Sequence, residues 1–104
     1  MKKILITTIL ASVLIAPLFA AEHTIDQLGR KFIPSAIKVK VGDTLRLKNS
    51  DPFAHNAYTD DMLNEFDTGM QSSGQDAIVT IKAKSNFDIY CAIHPEMQLK
   101  VTVE

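Results

Sequence analysis

Cys91, the single cysteine of the 104-residue chain, opens the run Cys91-Ala92-Ile93-His94-Pro95-Glu96-Met97, and a His55-Asn56 pair lies far upstream. One thiolate, two imidazoles and a thioether form the donor set of a trigonal Cys-His-His copper site with a weak axial methionine, the arrangement used for one-electron transfer. Cys91, His94 and Met97 come from one short stretch and His55 from elsewhere, so folding has to assemble the set. A lone buried cysteine is more often a small apolar core residue. A helix would align Cys91 with His94, but at about 100° per residue Met97 would be turned away by roughly 240°. Pro95 would also break such a helix, and it biases His94 towards extended backbone. The run is therefore a loop, on which the donors can converge.

The chain start has a different composition. Lys2 and Lys3 precede an almost wholly apolar stretch from Ile4 to Ala16, and Pro17-Leu18-Phe19-Ala20-Ala21 ends in small residues. This is the pattern of a secretory signal peptide, cleaved after Ala20 and too short and interrupted to be a membrane anchor. Residues 21–104 are then a single exported domain. Of 11 basic residues, 9 remain after cleavage against 12 acidic ones, a formal charge of −3. That balance offers no large cationic field for nucleic acid. A domain this small buries only about 60% of its unfolded surface, and one cysteine cannot make an internal disulfide. A bound metal would supply the missing stability, because binding to the folded state adds to it directly.

Short apolar alternations separated by turn residues predict an all-β domain. His23 to Gln27 reads as a first strand ending at Leu28-Gly29-Arg30. Ile37, Val39 and Val41 alternate with lysines, Gly42-Asp43 turns the chain, and Leu45 and Leu47 alternate with Arg46 and Lys48, so the two segments read as a pair of half-buried strands. His55 to Tyr58 forms a short strand after the Asp51-Pro52 break. Residues 59–75 read as an acidic loop with one helical turn. Ala77 to Lys82 is a strand, Phe87, Ile89 and Cys91 share a face, and Leu99 to Val103 closes with Val101 and Val103 inward. Seven or eight short strands fit a Greek-key two-sheet β-sandwich, with the ligand loop capping one end.

On the His-Asn pair, Tyr90 before Cys91 and the Cys-x2-His-x2-Met loop, the chain resembles the cupredoxins, the small blue copper proteins. The short loop with His94-Pro95 is similar to that of amicyanin-like members, and Val41-Gly42-Asp43-Thr44 and Phe66-Asp67-Thr68-Gly69 fit plastocyanin-like ones. The resemblance implies one copper ion held by His55, Cys91 and His94 with Met97 axial. It also implies an Asn56 backbone N–H on the Cys91 sulfur and an Asn56 side chain bracing the ligand loop. Amicyanin-like loops carry proline at the position of Ile93. An isoleucine there has an N–H, so a second donor to the thiolate and a raised potential are expected.

The expected function is a periplasmic electron carrier, monomeric and not an enzyme, cycling copper between Cu(I) and Cu(II). Electrons would pass through the edge of His94, with Pro52, Phe53 and Pro95 as an apolar docking patch. Its partners would be redox proteins such as a c-type cytochrome, an oxidase or an amine dehydrogenase, and Asp60, Asp61, Glu65 and Asp67 would steer a basic one. The alternative is a copper chaperone or buffering protein, in which Met62 and Met70 would assist Cu(I) transfer. A catalytic copper would need further histidines, and only His23 is left over. Zinc seldom takes a methionine. With Ala21 as a free terminus, Ala21-Glu22-His23 would offer nitrogens suited to square-planar Cu(II) or Ni(II), unless His23 is taken up by the first strand.

Overall fold

The computed structural model describes residues 20–104, so the leader read from the sequence lies, but for Ala20, outside the described residues. Nine strands follow one another: β1 (Glu22–Gln27), β2 (Phe32–Ile33), β3 (Ala36–Val39), β4 (Thr44–Asn49), β5 (Ala57–Thr59), β6 (Phe66–Asp67), β7 (Asp76–Thr80), β8 (Asn86–Cys91) and β9 (Gln98–Val103). They form a four-stranded sheet ordered β2-β1-β4-β7 and a five-stranded sheet ordered β3-β9-β8-β5-β6. The all-β sandwich expected from the alternation is what the chain adopts. Successive side chains of a strand face opposite ways. Ile25, Leu45 and Leu47 of the first sheet therefore meet Val39, Phe87, Ile89, Cys91, Leu99, Val101 and Val103 of the second in one buried core.

Three expectations need correction. The segment around Ile37 and the one around Leu45 are not sheet neighbours: β3 runs parallel to β9, and β4 lies between β1 and β7. The turn between them carries the chain from one sheet to the other. Asp43 N–H donates to the Lys40 carbonyl at 3.0 Å and Gly42 has φ +94°, a turn that favours glycine at its third position. Val41 belongs to this turn and is 51% exposed, not inward. The acidic segment contains no helix; β6 lies inside it, paired with Tyr58 and Thr59. Strands of two residues, such as β2 and β6, are too short to show a period.

His23 is structural. It sits within β1 opposite Leu45, and its Nε2 lies 2.9 Å from Asp43 Oδ2. Asp43 also accepts the N–H groups of Ala21 and Lys40. This buried carboxylate ties the start of β1 to the turn before β4.

At the other end of the sandwich β4 stops, β5 begins, β8 ends and β9 starts, so residues 50–56 and 92–97 meet there. The turn at 61–64 lies at the opposite end, since Asn64 donates to Ala83 O and Ser85 Oγ and accepts the N–H groups of Lys82 and Ala83.

The hydrogen bond from His23, followed by those of Lys40 and Ala21, holds the Asp43 carboxyl at about 2, below its ordinary 3.8. A group with a depressed folded value stabilises above its unfolded value, and that stabilisation is lost as the pH falls through the folded one. Between pH 4 and pH 2 the unfolding free energy of Asp43→Asn should fall less steeply than that of the wild type. Parallel slopes in denaturant titrations across that window would refute the assignment.

Candidate metal centre

The antiparallel register of β5 and β8 sets Ala57 opposite Cys91. His55 lies two residues before Ala57 and so points to the same interior side; both are fully buried. A two-way bridge holds His55 in place, its N–H donating to Gln71 O at 3.0 Å and its carbonyl accepting the Gln71 N–H at 2.7 Å. After Cys91 the chain leaves the sheet. Met97 N–H then donates to the His94 carbonyl at 3.0 Å, closing a turn with Pro95 in the position where its fixed φ is favoured. The proline that argues against a helix in the sequence thus turns the loop back to bring His94 over the site and Met97 into the core beside Cys91.

Three donor atoms converge. Cys91 Sγ lies 3.6 Å from His55 Nδ1 and 3.7 Å from His94 Nδ1, and the two Nδ1 atoms are 3.2 Å apart. First-row ions bind imidazole nitrogen at about 2.0 Å and thiolate at about 2.3 Å. Donors spaced at 120° around one ion would then be separated by roughly 3.7 Å (N to S) and 3.5 Å (N to N), close to the spacing observed. His55 Nε2 is 2.8 Å from Asp51 Oδ2, and Nδ1 is the ring nitrogen that faces the other donors. Soft sulfur with two imidazoles suits copper, and the residues present fit that ion.

The surroundings brace the donors. Asn56 N–H donates to Cys91 Sγ at 3.4 Å, as expected, and Ala92 N–H donates to the Asn56 carbonyl at 2.9 Å. The Asn56 side chain does not reach the ligand loop; its Nδ2 donates to Asp67 Oδ1 at 2.6 Å. Ile93 N–H is not among the donors to Sγ found in the described residues, so the raised potential argued from it loses its basis. The Phe53 ring packs on both His55 and His94 with centroids 5.4 Å away, and the Arg30 guanidinium lies 5.3 Å from the Phe53 centroid. His94 is half-buried, while Pro52, Phe53, Ile93 and Pro95 around it are exposed.

Beneath the centre lies a buried polar network that the sequence reading missed. Asn49 Nδ2 donates to Phe53 O and Gln71 O, and its Oδ1 accepts the Asp51 N–H. Gln71 Nε2 donates to Leu47 O and Gln75 O, while its Oε1 accepts from Gln27 Nε2. Asp51, four residues before His55 and beside Pro52, reads in the sequence only as a strand break. Of the acidic residues, Asp61 is occupied by Asn64 N–H and Ser85 Oγ and Asp67 by Asn56 and Gly69, leaving Asp60 and Glu65 as exposed charges.

The family model for copper binding proteins of the plastocyanin/azurin family matches residues 20–104. The chain belongs to that family. It is 33% identical over 85 residues to the chloroplastic plastocyanin of Fritillaria agrestis, covering 69% of this chain and 51% of that relative, so it spans about half the relative's length. Among solved structures it is similar to a methionine-to-alanine variant of amicyanin in the Cu(I) form. The TM-score is 0.74 at 26% identity, covering 83% of this chain and 90% of that one. A similar fold with a TM-score of 0.74 occurs in the copper-containing nitrite reductase of Thermus scotoductus, at 24% identity over 84% of this chain but 23% of that chain. The cupredoxin resemblance read from the ligand loop is thereby established, and in this copper-binding family His55, Cys91 and His94 are arranged to hold a single metal ion.

Removing Gln71's side chain leaves Gln27 and the Leu47 carbonyl short of partners inside the protein, and an orphaned buried polar group costs about 1–3 kcal/mol. Gln71→Ala should lower the stability of the metal-free protein by that order in urea titrations. An unchanged midpoint would mean the network contributes no rigidity to the site.

Proposed function

We propose that this chain is a periplasmic carrier of single electrons, exported by cleavage after Ala20, with His55, Cys91 and His94 holding one copper ion and Met97 as a weak fourth donor. Copper, when bound, supplies a one-electron couple between Cu(I) and Cu(II). The observation that carries the reading is the convergence of one thiol and two imidazole nitrogens, of which only His94 reaches towards solvent. Donors already in place need little rearrangement when the charge at the centre changes, and that favours fast transfer. Burial of Met97 in the same cluster as Cys91 supports its role.

His94, half-buried within the exposed apolar side chains of Pro52, Phe53, Ile93 and Pro95, is the natural exit for the electron and a surface for brief docking. Asp60 and Glu65 are left to steer a basic partner, such as a c-type cytochrome. Catalysis is disfavoured because His23, the one histidine outside the cluster, is engaged by Asp43. Copper delivery is the second reading. It draws on Met70, 65% exposed next to the Gln71 that pairs with His55; Met62, at the far end of the sandwich, gives it no support.

The test is the visible spectrum of residues 21–104 with one equivalent of Cu(II), beside Cys91→Ser, followed by repeated reduction and reoxidation. An intense band absent from the variant, with metal retained through the cycles, is expected. A colourless protein that surrenders Cu(I) to an acceptor would favour delivery instead.

A further inference from the structure

Among the described residues, Asp51 is the one carboxylate hydrogen-bonded to the donor cluster, and its surroundings are built around it. It is buried, four residues before His55, and its Oδ2 lies 2.8 Å from His55 Nε2. Its Oδ1 accepts the Gly29 N–H at 2.7 Å and its Oδ2 also accepts the Arg30 N–H at 3.1 Å. Gly29 and Arg30 both have left-handed backbone, φ 65° and 57°. A non-glycine residue there is uncommon, and here the conformation turns two successive N–H groups onto one carboxylate. Asn49 Oδ1 holds the Asp51 backbone as well. The N–H groups of Gly29 and Arg30 and the His55 ring thus leave neither carboxylate oxygen of Asp51 without a partner. The loop after β1 therefore holds Asp51, which stands on the loop after β4, as a fixed anion behind the His55 ring.

We propose that Asp51 is a positioning residue of the metal centre: it locks His55 in the Nε2–H tautomer, which frees Nδ1 for the metal, and its charge makes His55 a stronger donor to Cu(II) than to Cu(I). The proposal rests on the metal-binding reading above. A carboxylate behind a ligating imidazole fixes ring orientation and raises its basicity, and losing such a partner typically costs 10–100-fold in metal affinity. The extra negative charge favours the more positive oxidation state, so Asp51 should hold the reduction potential down.

The tautomer is read in the metal-free wild type by long-range 1H–15N correlation spectra of the imidazoles, at a pH where His55 is neutral. His55 is expected as the Nε2–H form, and an Nδ1–H signature would overturn the proposal. The second measurement compares Asp51→Asn and Asp51→Glu with the wild type in Cu(I) and Cu(II) affinity and in potential. Asp51→Asn should bind Cu(II) about 10-fold more weakly relative to Cu(I), a rise in potential of roughly 59 mV for a one-electron couple, while Asp51→Glu, which keeps the charge, should move it less. A folded Asp51→Asn with an unchanged potential would overturn it equally. Should Asp51→Asn not fold, the tautomer in the wild type still decides. A protein that takes up no copper would defeat the carrier reading and leave the tautomer result standing.

Discussion

The pairing of Ala57 with Cys91 is the constraint on which the site end of the molecule depends. It aligns β5 with β8 so that the His55 ring, two residues out from Ala57, emerges beside the thiol that terminates β8. The same register brings Asn56 N–H to Sγ and its carbonyl to Ala92 N–H. A shift of one residue along β5 would send His55 to the solvent face and Asn56 inward, because side chains alternate across a strand. The core fixes that register: Ala57 is buried on the face shared with Ile89 and Cys91, and a slip would expose the inward set of either strand. Hydrophobic burial over the whole sandwich therefore sets the spacing of three polar atoms at its rim.

The rim itself is not hydrophobic. Gln27, Asn49, Asp51, His55 and Gln71 are all buried there, where each unpaired polar atom would cost stability. Nearly all are satisfied by one another or by backbone, Gln27 Oε1 being the exception among the described residues. A network closed this way has few alternative arrangements, since moving one member strands several. Apolar packing would have held this end together as well, but it could not have oriented an imidazole about its own axis. Directional bonds do that, and the bonds from Gln71 to the His55 backbone and from Asp51 to its ring fix position and rotation separately.

The donor set was legible in the sequence because its residue types are scarce. With one cysteine and three histidines in the chain, a cysteine and a histidine three residues apart just before a proline leave few other roles, and the alternation in β4, β8 and β9 was strong enough to place them on a sandwich. The supporting residues were not legible for the opposite reason. Aspartate beside proline, asparagine at a strand end and glutamine in a polar stretch are what ordinary turns contain, and nothing in their spacing separates a buried hub from a solvated bend. The same ambiguity hid the exchange of partners at Asn56, whose side chain braces the β6 turn through Asp67 while its backbone braces the ligand loop. The split of β3 and β4 between two sheets was also invisible, since each shows the same half-buried pattern wherever its neighbours come from.

One consequence follows from how differently the three donors are held. His55 and Cys91 are buried and tied into strands or their edges, so their positions are set by the fold. His94 depends on the loop alone, closed by Met97 N–H on its carbonyl and pressed by Phe53 from one side. It is also the donor that solvent reaches. The centre thus combines two donors fixed by the interior with a third fixed by a short turn, and the path to the surface runs through the least anchored of them. Any motion at the centre should start in residues 92–97, where the backbone has left the sheet, and the brevity of that loop with Pro95 in its turn is what keeps such motion small.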